Sequence, residues 1–259
     1  MNAQPTKGLP ALIICIAVLA SVAAAGGIFM GGGKGPYEYE TIRGKTITIS
    51  GEGLYRHMSA DVAIQGIAQD YITLFLAVPL LIVFLVFSGK WGIRGRLLLA
   101  GLTGYFMVTY IFYLSMGMYN EFFLIYTGLA SCSFFAFYLQ IQSLIKSGCN
   151  TWYSFNRPSF PGWFLMVNAV AIGLMWLSVV APPLFDGSLY PAGIDHYTTM
   201  IVQGFDLSVL LPASFIAGWL FVKRKPAGYL WTPVYLIFLS FLMTALTSKI
   251  IGMNLTGVE

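Results

Sequence analysis

Seven apolar runs of about twenty residues dominate the sequence, each near the length that crosses a hydrocarbon core of roughly 30 Å as a helix. They cover residues 9–30, 71–88, 97–117, 122–144, 162–185, 200–222 and 228–251, and charges, glycine or proline punctuate them. Backbone inside lipid must satisfy its own polar groups, so runs of this length become helices. Composition agrees. Of the 259 residues 58% are hydrophobic and 9% charged, where a soluble chain carries about a quarter charged residues. The 28 glycines follow no G-x-y period, which excludes collagen, and the apolar excess excludes disorder. The expected fold is an all-α membrane protein, a seven-transmembrane-helix bundle forming one integral membrane domain over residues 1–259. It divides into an N-terminal anchor helix (1–30), a non-membrane segment (31–58) and six further helices (59–251).

Basic residues orient the bundle. With the amino terminus in the cytoplasm, the inner segments hold Lys7, Lys90, Arg94, Arg96, Lys146, Arg157, Lys223, Arg224 and Lys225, nine of the 14 Lys and Arg residues. Lys34, Arg43, Lys45, Arg56 and Lys249 are the remainder. All ten acidic residues, from Glu38 to Glu259, then fall on the outer side or in outer halves of spans, and the carboxyl terminus lies outside. The first run has a second reading as a cleaved signal peptide, with Lys7, an apolar stretch and alanines near Ser21–Ala25. That stretch reaches about 22 residues, long for a signal sequence, which favours a retained anchor.

Residues 31–70 form the one sizeable segment outside the apolar runs. Gly31-Gly32-Gly33-Lys34-Gly35-Pro36 is a connector. The β-branched alternation of residues 40–49 around Gly44-Lys45 predicts a small hairpin. Ser59 is placed to cap a helix with its hydroxyl. From there a helix is expected over 59–88, about 45 Å long, so its first third stands above the hydrocarbon.

Arg94-Gly95-Arg96-Leu97-Leu98-Leu99-Ala100-Gly101, Gly104-Tyr105-Phe106, and Tyr119-Asn120 with Phe123-Leu124 and Tyr126 resemble a family of functionally unassigned prokaryotic polytopic membrane proteins with six to seven spans. Gln65, Gln69-Asp70 and Asp206-Leu207 with Pro212 are similar to the same pattern. The resemblance covers most of residues 51–250 through loose motifs. It implies a prokaryotic cell-membrane protein and no particular chemistry.

Ionisable groups inside spans are costly, at about 2.5–3.5 kcal/mol on insertion scales, and mark candidate sites. Asp206 lies about 10 Å below the outer boundary of the sixth span, with Gln203 one turn above it. Lys249 reaches a similar depth in the seventh. An Asp206–Lys249 pair would lock two helices; a free Asp206 would line an outward-open cavity. Asp61, Gln65 and Gln69 share one helix face, with Asp70 turned by about 100°. They form either a solvated stripe or an inward-facing polar row. Glu121 and Asn120, beside Tyr119, sit at the turn between spans three and four. Tyr105, Thr109, Tyr110, Tyr113 and Ser115 lie on span three. Tyrosines near an interface usually form an aromatic belt, but Tyr110 is deep enough to need an internal hydrogen-bond partner.

Several chemistries are excluded by pattern. His57 and His196 are the two histidines, both outside the spans, so a haem with two axial histidines in the bundle is excluded. His57, His196 and Asp195 could meet only at an outer metal site. Motifs for zinc enzymes, nucleotide-binding loops and nucleophile elbows are lacking. Lys249 is too near a helix end for retinal. No basic cluster with interleaved aromatics suggests nucleic acid. Cys15, Cys132 and Cys149 give no disulfide framework. Gly27 and Gly31 make one G-x-x-x-G, and Asn254-Leu255-Thr256 is a chance sequon. No cofactor is expected, and the lipid bilayer is the one certain partner.

Three functional readings remain. In the first, outer carboxylates and amides bind or translocate a small cation or cationic solute at an outward-facing vestibule. It uses Pro79, Pro212 and Pro233, which free backbone carbonyls within spans, and has no inverted repeat behind it. In the second, the chain is a non-catalytic subunit of a larger membrane complex. The third is a membrane enzyme with a carboxylate or metal site at the outer leaflet.

Overall fold

The computed structural model describes residues 8–148 and 159–257. Lys7, Cys149, Arg157 and Glu259 lie outside the described residues. Seven helices are long and apolar enough to cross a membrane: α1 (Leu9–Phe29), α2 (Ala60–Phe87), α3 (Gly92–Met116), α4 (Phe123–Lys146), α5 (Phe160–Asp186), α6 (Ile201–Val222) and α7 (Pro226–Thr256). A two-stranded antiparallel sheet lies between α1 and α2. The all-α, seven-span architecture with a hairpin segment is the fold of the chain.

The hairpin pairs β1 (Tyr37–Glu40) with β2 (Thr46–Ile49), so its first strand ends where the sequence pattern would have started it. Residues 41–45 make the turn. Thr41 donates its amide to the Lys45 carbonyl at 2.8 Å, and Gly44 takes a φ of 75° that a side chain would disfavour. Ile49 is buried and bridges to Ser59 at the start of α2.

Helix α3 is the most enclosed span after its first turn, packing on α4, α2 and α7. Small residues set the closest approaches. A Cβ at Gly101 would meet Ile237 of α7 at 2.5 Å, and Gly162 of α5 and Gly218 of α6 press backbone to backbone. α1 buries a stripe of Ile13, Ile16, Ala17, Ala20, Ala23 and Ala24 and leaves Ile14, Val18 and Val22 exposed, the split expected of a helix with one face on protein and one on lipid.

Two spans are interrupted in the same way. Residues Thr73–Ala77 of α2 and Asp206–Leu210 of α6 are π-helical, and Pro79 and Pro212 follow two residues later. Proline lacks an amide and crowds the carbonyl four residues back; a widened turn relieves both. The likeness continues beyond the prolines at one constant offset through Lys90 and Lys223, Gly95 and Gly228, and Leu97 and Leu230. Gly95 lets α3 press on Ser88, and Gly228 lets α7 press on Phe221, at matching positions.

Some local expectations need correction. Ser59 occupies the N-cap of α2 but makes no side-chain cap; its hydroxyl lies 3.3 Å from that of Tyr197. Gly27 and Gly31 do not form a joint packing face, since Gly31 lies beyond α1 in open space. α7 continues to Thr256, so Lys249 sits two turns inside the helix and not near its end.

Candidate functional site

A cavity of about 410 Å³ opens among α2, α3, α5, α6 and α7, within the size range of small-molecule sites. Most of its wall is apolar, and Met58, Met116, Met175 and Met243 supply adaptable surface. Its charged and amide groups are Gln65 and Gln69 from α2, Asn168 from α5, Gln203 and Asp206 from α6, Lys249 from α7, and Asn120 at the α3–α4 turn, and hydroxyls such as Thr109, Tyr113 and Ser214 also reach the wall.

The two opposite charges do not meet. The Asp206 carboxylate accepts a 2.7 Å hydrogen bond from the Trp176 indole of α5. Among the described residues, Lys249 makes no hydrogen bond or ion pair. The expected Asp206–Lys249 lock is therefore absent, and neither Lys249, Gln203 nor a residue of 61–70 is the partner of Asp206. α6 has its π-turn beginning at Asp206 itself, a distortion common where a helix presents a side chain to a ligand.

Behind the cavity wall is a second polar centre. Asp70, 2% exposed, accepts hydrogen bonds from Tyr55 at 2.5 Å and from Tyr113 at 3.1 Å. Burial and the adjacent Asp70 charge push the Tyr55 hydroxyl well above the usual phenol range, so it remains a donor. Gly27 of α1 makes room: a Cβ there would lie 1.8 Å from the Asp70 carboxylate. Lys249 is the cation whose charge reaches Asp70. Gln69 donates to the Tyr105 hydroxyl at 2.5 Å.

The remaining candidates separate. Asp61 and Glu121 do not line the cavity. Asp61 sits in the first turn of α2, where the helix dipole favours an acid. Glu121 pairs with Arg56 on the surface; hydrogen bonding from backbone amide and then from Arg56 holds its carboxyl below the usual range. Asn120 is buried and accepts the Phe122 amide at 2.9 Å. Tyr110 is 1% exposed, but rings hold it, not a hydrogen bond: Phe106, Tyr113 and Tyr126 surround it. The tyrosines of α3 are thus an interior cluster, where a belt was the ordinary expectation. His196 lies 3.2 Å from the His57 carbonyl, while Asp195 is taken by Lys45 at 2.9 Å. Among the described residues no group of three or more potential ligands could hold a metal ion.

Compared with family models, curated proteins and solved structures, the chain matches none. Geometry alone carries the functional reading.

Sequence reasoning missed Tyr55, which sits before α2 and donates to Asp70, and also Trp176 and Asn168 of α5. The two α5 residues lie in an apolar run with no local pattern to single them out, and only the packing of α5 against α6 brings Trp176 to Asp206. The roof also required coordinates. Arg43 donates to the Asp195 carbonyl at 2.9 Å and stacks over Tyr190, tying the hairpin to the α5–α6 connection. Tyr55 and Met58 close the cavity from this side.

Proposed function

We propose that the protein is a membrane-embedded binding protein for a small amphipathic solute, held with its apolar body among the methionines and its polar end between Asp206 and Lys249. One observation carries this reading: two opposite charges share a mostly apolar cavity and leave each other unpaired. Desolvated charges are tolerated when something pairs with them, and a solute offering a donor to Asp206 and an acceptor to Lys249 would do so. A bare cation is favoured less than sequence reasoning suggested, because Lys249 would repel it.

We further propose that the hairpin end faces outward. At the opposite end Lys90, Arg94, Arg96, Lys146, Lys223, Arg224 and Lys225 cluster without a carboxylate among the described residues, the bias of a cytoplasmic face.

Native mass spectrometry of the protein purified in mild detergent tests the binding reading. The wild type should carry a small organic adduct that Asp206→Asn with Lys249→Met loses. An adduct-free wild type, or equal adduct on both proteins, would contradict it.

A further inference from the structure

Among the described residues, three buried polar atoms in one row on α4 have no hydrogen-bond partner: the Tyr126 hydroxyl, the Ser133 hydroxyl and the Gln140 side-chain carbonyl oxygen. Their residues are 4%, 0% and 4% exposed. Seven residues separate each from the next, about two helical turns or 10 Å, so they share one face. Buried oxygens of this kind are ordinarily satisfied by internal water, since leaving each unpaired costs about 1–3 kcal/mol.

The row joins other buried polar groups into a line along the bundle. Near the hairpin end stand Tyr55, Asp70 and Tyr113, with the Tyr126 ring 5.2 Å from that of Tyr113. Gln69, Thr73 and Tyr105 stand apart from this row, on the flank of α3 that meets α2 and α7: Gln69 donates to Tyr105, whose ring packs on Phe241. Further along, Gln140 donates to the Thr103 hydroxyl at 3.0 Å. At the far end Arg96 donates to the Ser143 hydroxyl at 2.8 Å. From Tyr113 to Arg96 along α3 is about 25 Å at helical rise, most of the hydrocarbon thickness.

We propose that water fills this row along the seam of α3 and α4, which α1 flanks, and that protons cross the membrane along it, with Asp70 of α2 as the carboxyl that takes up and releases them. At Asp70 an O–H bond breaks as one forms on the adjoining water, and each water or hydroxyl onward accepts one proton and donates another. No oxidant or reductant enters; one proton leaves for each that arrives. The groups acting on Asp70 are Tyr55 before α2, Tyr113, Tyr110 and Tyr105 of α3, Tyr126 of α4 and Lys249 of α7, with the Gly27 backbone of α1. Phe106, Leu102 and Leu129 are buried along the same stretch and keep the line narrow, which suits protons and excludes hydrated ions.

The full chain reconstituted into vesicles holding a pH-sensitive dye tests this without any solute. Under a potassium diffusion potential, wild-type vesicles should acidify or alkalise several-fold faster than protein-free ones. Asp70→Asn and Gln140→Leu should reduce the rate to the protein-free level. Ser133→Ala is the mildest change to the row, deleting one buried hydroxyl and no packing contact larger than an oxygen; it should slow the flux several-fold while its thermal unfolding in detergent stays close to wild type. A wild-type rate equal to that of empty vesicles overturns the proposal. So does a rate unchanged in Ser133→Ala and Gln140→Leu, whatever the folding of Asp70→Asn.

Discussion

At the scale of single residues, the two buried carboxylates are held in different ways. Asp70 is enclosed by phenols and needs the missing side chain of Gly27; Asp206 is held by one indole and faces space. Gly27→Ala should therefore destabilise by about 1–3 kcal/mol, the usual cost of overpacking. Gly31→Ala, with nothing within 4 Å of its added methyl group, should leave thermal unfolding in detergent unchanged. Equal melting of the two variants would contradict the placement of Asp70. Because Asp206 and Lys249 form no pair, the stability effects of Asp206→Asn and Lys249→Met should add within about 0.5 kcal/mol. A larger coupling in the double variant would restore the ion pair that the sequence suggested. Sequence could mark both residues by their cost in lipid, but depth along a helix carries no direction around it. That is why Lys249 looked like a partner and Trp176 was invisible.

At the scale of elements, the boundaries of the spans were legible because lipid leaves so few solutions for an apolar run. The hairpin was legible from β-branched alternation around Gly44, though its register was not, since Tyr37 and Tyr39 carry no inward pattern: all of β1 is exposed. The π-turns were not legible at all. Proline announces a break, yet whether the helix kinks or widens depends on neighbours. In α6 the widened turn aims Asp206, so Pro212→Ala should let the turn tighten. Amide hydrogen exchange at residues 207–211 should then slow, and solute retention should fall while the protein stays folded. Unchanged exchange would show that the π-turn does not depend on the proline.

At the scale of the whole molecule, the described helices hold an interior cavity, and the polar row of α4 begins at its wall, at Tyr126 beside Tyr113. The hairpin roofs one end, and among the described residues the other end carries basic side chains without a carboxylate. That bias is the basis of the proposed orientation. On a background without native cysteines, an impermeant thiol reagent added outside should label a cysteine placed at Gly257 and miss one at Arg224; the reverse pattern would invert the topology. The cavity is the central element of the functional reading, and an experimental density map of the protein in lipid nanodiscs examines it most directly. Elongated non-protein density reaching from the methionines to a point between Asp206 and Lys249 is the predicted result. A cavity holding only scattered water, or collapsed so that Asp206 and Lys249 form an ion pair, would contradict it.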